Sequence, residues 1–345
     1  MPDLFVTNFN RNFTGVSATA ANVIRLQAKS HDLRLVGYPL PGCPDPITVA
    51  AARGLTRTPP PGKPFVLWHV RRNPEMRAAI WARDVLRLPI RIVFTSAAQR
   101  RHSTYPRWLI SRMDAVIATT ERAAEFVPHV RAVVPHGVDT DLFTPSADRA
   151  ADWAGLGYGG TLGIASIGRI RPEKGTDLFV QAMLHLLPNL PGAVALVIGR
   201  AAREHQGFLK GLQTQVAAAG LTDRLLFVGE VPAQRLPAQM RALSLVMQLP
   251  RYEGYGMVPL EGMASGVPFV GSEAGYYQAF SAQGRSGLVV PQEAAQDAAK
   301  AARALLTDAP RHAGTSAAAR EIAVHGFSAA TETAGIEAVY QALSP

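Results

Sequence analysis

Residues 161–187 read TLGIASIGRIRPEKGTDLFVQAMLHLL. The first eight are small and apolar and read as a buried strand, while 176–187 carry apolar residues at helical spacing. Between them, Gly168 lets the chain turn tightly at the strand end. Arg169, Arg171 and Lys174 then present three cations. Thr176 or Asp177 can cap the helix, whose N-terminus adds partial positive charge. A strand, a cationic loop and a helix in that order suit a diphosphate, with arginine as a fork and lysine as a point charge. An ordinary basic loop between strand and helix is the bland alternative.

The same rhythm runs outward in both directions. Downstream, strands at 193–199, 224–229, 244–250, 267–272 and 287–291 alternate with helical stretches at 205–220, 232–243 and 258–266. Upstream, strands at 3–8, 32–40, 65–70, 90–96, 114–120 and 131–138 alternate with helical stretches at 16–31, 74–87, 106–113 and 121–127. Residues 41–64 hold seven prolines and read as loop with room for a short helix. Residues 144–160 are rich in Gly, Ala and Asp and read as a linker. Gly155, Gly157 and Gly160 satisfy GxGxxG, but a linker precedes them and a strand follows. That order is wrong for a dinucleotide site, so they read as a flexible hinge. The pattern predicts two doubly wound α/β domains, with a ligand cleft between their strand carboxyl ends.

Size and composition agree. A chain of 345 residues suits two domains, and 48% apolar with 18% charged residues is a globular composition. There is no apolar run of roughly 18 residues. The N-terminus lacks a basic segment followed by an apolar one. Cys43 stands alone and can form neither an internal disulfide nor a thiolate metal site. These features set aside a spanning protein, a disulfide scaffold and structural zinc, and predict a reducing cytosol. The net charge is +9, but it is lopsided. Up to residue 154 there are 20 basic and 12 acidic residues, and after it 15 and 14. Within 71–112, ten arginines face only Glu75 and Asp84. Such a field implies a partner with several negative charges, namely nucleic acid, an anionic leaflet or a phosphorylated substrate. A well-solvated basic face is the alternative.

A second constellation lies in Glu253-Gly-Tyr-Gly-Met-Val-Pro-Leu-Glu261. Two carboxylates sit eight residues apart across a strand-to-helix turn. Pro259 suits the first helical turn, and Gly254 and Gly256 let the backbone approach a ligand. Glu261, expected inside that first turn, can accept from two vicinal hydroxyls of a ribose. Glu253 can accept from a sugar. Cations for a diphosphate and anions for hydroxyls are what a nucleotide-sugar site needs.

GRIRPEKG (168–175) with YEGYGMVPLEGMASGVPFV (252–270) resembles the donor site of family 4 glycosyltransferases, retaining enzymes of the GT-B fold. The carboxylate pair at E-x7-E is that family's hallmark. VVPHGVDTDLF (133–143) resembles the family's interdomain stretch, with His136 in place of Asn. GLVVP (287–291) matches the segment after the donor helix, and FSAATETAGIEAVYQAL (327–343) resembles the closing helix that crosses back to the N-terminal domain. The resemblance implies two Rossmann-like domains facing across a cleft. An acceptor-side domain would span 1–150, completed by 326–345, and a donor domain 151–325. In the N-terminal half, NFNRNFTGVSAT (8–19), WHVRRNPEM (68–76), FTSAAQRRHSTYPRWLI (94–110) and MDAVIATT (113–120) resemble the lipopolysaccharide core mannosyltransferases of alphaproteobacteria. Those transfer mannose from GDP-mannose to a Kdo sugar of the lipid A inner core.

The resemblance assigns roles. Arg169 and Lys174 would neutralise the leaving diphosphate. Glu261 would hold the ribose. Glu253 and the backbone at Gly254, Tyr255, Gly256 and Met257 would orient the hexose and β-phosphate, and Gly15 would approach from the other domain. The implied reaction is front-face displacement with retention, the departing phosphate oxygen deprotonating the acceptor. It calls for no protein nucleophile, no metal and no cofactor beyond the donor. There are departures. Thr14 precedes a single Gly15 where many members carry two glycines, and Ala274-Gly-Tyr-Tyr-Gln278 stands where GGxxE is usual. Thr95 and Ser96 replace the family histidine, so the hexose contact is lost or moves to His69 or His102. A structural His69 is the alternative. His102 lies among Arg100, Arg101 and Arg107, which would depress its pKa. His69, Arg71, Arg72, Arg100, Arg101 and His102 form the expected acceptor set, the arginines as ligands of a phosphate or carboxylate. The expected partners are a nucleotide sugar, an anionic lipid-linked saccharide and the inner-membrane surface, with the protein cytoplasmic and peripheral. A UDP-sugar transferase or a nonhydrolysing epimerase of the same fold is the alternative. A nucleic-acid-binding protein fits less well, because the basic run lacks a recognition module and interleaved aromatics.

Overall fold

The computed structural model describes residues 1–12 and 14–343; Phe13 of the first loop and the last two positions of the closing segment lie outside them. The chain divides into two units, Met1–Gly137 together with the chain from Phe327 onward, and Val138–Gly326.

In the first unit, β1 (Leu4–Asn8), β2 (Leu33–Gly37), β3 (Val66–Val70), β4 (Ile90–Ser96), β5 (Ala115–Ala118) and β6 (Val130–Val133) form a sheet in the order β2-β1-β3-β4-β5-β6. All pairings are parallel. Alternate residues enter two cores. Trp68, Val70, Phe94 and Val116 pack with Met76 and Ile110 on one face. Leu67, Val93, Ala115 and Ile117 pack on the other with Val23, Ile24, Ile336, Val339 and Tyr340. Burial on both faces is why these strands read as continuous apolar runs. Helix Ala329–Leu343 thus completes the first unit. Its entry depends on Gly137, where a Cβ would lie 2.2 Å from the Ser328 carbonyl oxygen.

In the second unit, β7 (Leu162–Ile167), β8 (Ala193–Ile198), β9 (Leu225–Gly229), β10 (Leu245–Gln248), β11 (Phe269–Ser272) and β12 (Gly287–Val290) run in the order β12-β11-β10-β7-β8-β9, again all parallel. Helix Thr176–Leu186 and helix Ala295–Leu306 bury Phe179, Met183, Leu186, Ala298, Ala302 and Leu305 against it. In each sheet the chain winds one way and then returns to the other side. The order reverses between β1 and β3 in one and between β7 and β10 in the other. Ligands of open parallel sheets bind at such switch points.

The structure corrects several expectations. Residues 144–160 are not a linker. Asp148 caps helix Arg149–Leu156, whose Trp153 is buried. That ring lies so close over Gly163 that a Cβ there would stand 2.1 Å from it. Gly157, with φ of 76°, is the left-handed cap of this helix rather than a hinge. The boundary between units accordingly falls after 137, not 150. An alanine-rich segment anchored by one tryptophan has too little apolar periodicity to read as a helix. The expected helix 74–87 is Asn73–Ile80 followed by a π-helical turn, Trp81–Val85. Residues 41–64 do contain a short helix, Val49–Thr56. Helices Ala295–Leu306 and Ala309–Gly326 add to the expected elements. Among the described residues no helix is long and apolar enough to cross a membrane.

Candidate active site

The loops after β7 and β10 meet at the switch point of the second unit. After β7, Gly168 turns the chain at φ of 148°, and Pro172–Lys174 form a single 3-10 turn. Gly175 follows with φ of 66°, where a Cβ would stand 1.7 Å from the Leu249 carbonyl oxygen. Only glycine lets the start of helix Thr176–Leu186 pass so close to the end of β10. Neither Thr176 nor Asp177 caps that helix, whose N-cap is Gly175. Asp177 instead takes both Nη atoms of Arg251 at 2.8 Å, and Arg251 also binds Glu293 and donates to the Pro172 carbonyl. Arg251 therefore holds the β7 loop against the β10 loop. Its neighbouring carboxylates raise its pKa further.

Within this frame Lys174 Nζ lies 2.6 Å from Glu253 Oε2, and Glu253 Oε1 accepts from the Gly254 N–H at 2.9 Å. Gly256, with φ of 104°, caps helix Met257–Ala264 and passes so close to Tyr277 that a Cβ would meet its ring at 2.1 Å. Tyr255 is buried and stacks on Tyr276, whose N–H donates to the Tyr255 carbonyl at 2.8 Å. The segment Ala274–Gln278 thus lies against the glycine-rich loop although it lacks the usual motif. Glu261 falls in the second turn of the helix, not the first. Its carboxylate has no partner among the described residues. It keeps a little surface exposure, yet burial pushes its carboxyl up to about 8. Arg169 is exposed and likewise unpartnered. Arg171 faces Glu173 at 3.7 Å.

In the first unit, Gly15 opens helix Gly15–Gln27, and among the described residues nothing lies within 4 Å of where a Cβ would stand. The expected acceptor residues separate. His69 is wholly buried, its Nδ1 on the Tyr340 hydroxyl at 2.5 Å and its Nε2 on Thr95 Oγ1 at 2.7 Å. Both ring nitrogens are used and desolvation holds its pKa well below the usual value, so His69 is structural and cannot replace the family histidine. Arg72 is engaged with Glu75, Asn8, Thr14 and Ser17, and joins loops of the first unit. Arg71 is buried beside it, without side-chain hydrogen bonds among the described residues. Arg100 and Arg101 are exposed. Partial burial and Arg100 lower the pKa of His102, whose Nε2 is unpartnered. Glu75, which the sequence shows only as one of two acids within the arginine run, is a hub. It is wholly buried and accepts from Thr7 Oγ1, Phe9 N, Arg71 N and Arg72 N. His136 Nδ1 and the Gly137 N–H bind the two oxygens of Glu332, each at 2.7 Å, on the closing helix.

Two doubly wound parallel units, one with cations and carboxylates gathered at its switch point, have the architecture of the GT-B fold. The glycosyl transferases group 1 family profile matches residues 157–322. The lipopolysaccharide core biosynthesis mannosyltransferase LpsB of Rhizobium meliloti (strain 1021) is 39% identical over 99% of this chain and 97% of its own length. LpcC of Rhizobium leguminosarum bv. viciae, named for the same activity, is 38% identical over 99% and 98%. The chain belongs to the group 1 glycosyltransferases. Among solved structures, Anabaena Alr3699/HepE in complex with UDP aligns with a TM-score of 0.84 over 99% of this chain and all of that one, and its 19% identity speaks for the fold alone. The C-terminal domain of the group 1 protein LpcC from Francisella tularensis is 30% identical over 56% of this chain and 99% of its own, with a TM-score of 0.54.

Proposed function

We propose that this glycosyltransferase transfers mannose from GDP-mannose to a Kdo sugar of the lipid A inner core, with retention, in lipopolysaccharide core biosynthesis. Near-full-length similarity to two proteins named as core mannosyltransferases supports the sugar and the pathway. The observation that carries the donor class is the Lys174–Glu253 pair beside an unpartnered Arg169. An arriving diphosphate competes for Lys174 and frees a Glu253 oxygen to accept from the hexose. Arg169 and Lys174 then face the charge that develops on the leaving phosphate, so the proposed chemistry needs no metal. Glu261 accepts from the ribose hydroxyls. The departing phosphate oxygen takes the acceptor proton.

The first unit would meet its lipid-linked acceptor at the inner-membrane surface. Helix Thr104–Ser111 carries Tyr105 and Trp108, about half exposed and stacked at 6.3 Å. Trp108 and Arg107 line a groove of about 600 Å³ with Ile110, Phe126 and Val127. Aromatic side chains among exposed arginines suit the headgroup region of an anionic leaflet.

Calorimetric titration with GDP, UDP, ADP and GDP-mannose, without added metal, tests the donor. Selective binding of GDP and GDP-mannose is expected. A preference for UDP would keep the family and sink the mannosyl reading, and isomerisation of the donor without acceptor would favour an epimerase. Lys174→Ala removes a charge-assisted contact of roughly 1.5–3 kcal/mol and should weaken GDP about 10- to 100-fold. Unchanged affinity would remove the phosphate site from this loop.

A further inference from the structure

Arg71 stands just past β3, where the strand order of the first unit reverses beside β1. It is 8% exposed, yet Nε and Nη1 are buried without a partner, and no guanidinium nitrogen makes a hydrogen bond among the described residues. Its neighbour Arg72 makes four side-chain hydrogen bonds in the same region. Buried polar groups are ordinarily satisfied, so an idle guanidinium at a ligand-binding edge calls for an explanation. The two adjacent strand ends add idle hydroxyls. Ser96 Oγ closes β4 and Thr119 Oγ1 follows β5, both buried and unpartnered among the described residues. The Thr119 N–H donates to the Ser96 carbonyl at 3.0 Å, which keeps these strand ends together.

The acids near Arg71 are occupied elsewhere. Glu75 and Glu332 act on it electrostatically. Glu75 spends its oxygens on Thr7, Phe9 and the two arginine backbones, and Glu332 on His136 and Gly137. Burial lowers the Arg71 pKa and the two acids only counter it in part, but a guanidinium starts so high that it keeps its charge at neutral pH, and its donors stay open. His69 and Tyr340, also within electrostatic reach, already bind each other. We propose that Arg71, with the hydroxyl of Thr119, binds the carboxylate of a sugar acid in the acceptor. A carboxylate matches one guanidinium edge and brings one negative charge. A phosphate dianion would meet the added repulsion of Glu75 and Glu332, which makes the site selective between the two anions. This rests on the acceptor reading above and extends it, since it says which group of the acceptor sugar is recognised.

The test is calorimetric, on the full chain. The probes are a Kdo methyl glycoside, its methyl ester, and a hexose phosphate. The wild type should bind the acid about tenfold more tightly than the ester and more tightly than the phosphate. Arg71→Met should abolish the preference while GDP affinity, a readout of the other unit, stays within about twofold. Equal binding of acid and ester, a preference for the phosphate, or a preference that survives in Arg71→Met would overturn the assignment. Should Arg71→Met fail to fold, Thr119→Val is read in the same way, with a loss expected for the acid only and an unchanged acid preference counting against the site. Failure of mannose transfer to Kdo-lipid A alongside an intact acid preference would instead sink the proposed reaction and leave the carboxylate site standing.

Discussion

Glu261 shows how one residue's meaning depends on its surroundings. As a letter in E-x7-E it reads as an acceptor of hydroxyls. In the fold its carboxyl has lost much of its water and gained no partner, and its pKa rises from 4.5 to about 8. The raised value favours the protonated form in the folded state. The folded state therefore binds more protons than the unfolded one between pH 4.5 and about 8, and stability falls as pH rises through that window. Glu261→Gln should remove this slope, so its Tm advantage over the wild type should grow between pH 5 and 8. Parallel Tm profiles would show that the carboxyl is ionised in the free protein. Arg169, Lys174, Glu253 and Glu261 were all legible as residue types. Arg251 and Glu75 were not, because an arginine beside a glutamate motif, or a lone acid in a basic run, shows its partners only when distant loops are brought together.

At the scale of elements, glycine and partly buried ion pairs decide how segments dock. Gly175 and Gly137 admit backbone approaches that any Cβ would block. His31 joins three parts of the first unit. Its Nδ1 meets Asp3 at 3.1 Å, just before β1, and its Nε2 meets Glu337 on the closing helix at 2.7 Å. Hydrogen bonds to the two carboxylates raise the imidazole to about 9. The stabilisation is fully present below the ordinary value of 6.5 and is lost as pH rises through about 9. His31→Gln should therefore lower Tm at pH 6, and the difference should shrink towards pH 9.5. A pH-independent difference would mean that His31 contributes packing alone. The strands were readable because burial on both faces leaves continuous apolar runs. Helix Arg149–Leu156 was not readable, since its one anchor, Trp153, is explained only by the bare surface of Gly163 beneath it.

Over the whole molecule, the free basic excess over 71–112 is smaller than its count of arginines implies. Of the ten arginines in 71–112, Arg71 is buried, Arg72 binds Glu75, and Arg83, Arg91 and Arg112 pair with Asp84 and Asp114. Arg77, Arg87, Arg101 and Arg107 remain exposed and without ion pairs among the described residues. Arg101 and Arg107 flank or join the helix that exposes Tyr105 and Trp108. Flotation with vesicles rich in phosphatidylglycerol should exceed that with pure phosphatidylcholine, should fall with salt, and should drop in Arg101→Glu/Arg107→Glu. Flotation indifferent to anionic lipid would leave the surface merely solvated.

The alternation of strands and helices, the parallel class of both sheets and the carboxylate and cation sets of the second unit are local or periodic properties, so the order of residues settles them. Contacts between residues far apart in the chain are not local. The unit boundary at 137, the clamp by Arg251, the hub at Glu75 and the idle guanidinium of Arg71 exist only because packing within each unit brings separate loops together at the ends of its strands. The chemistry of a charged side chain is decided there, by which partners and how much water the fold leaves it.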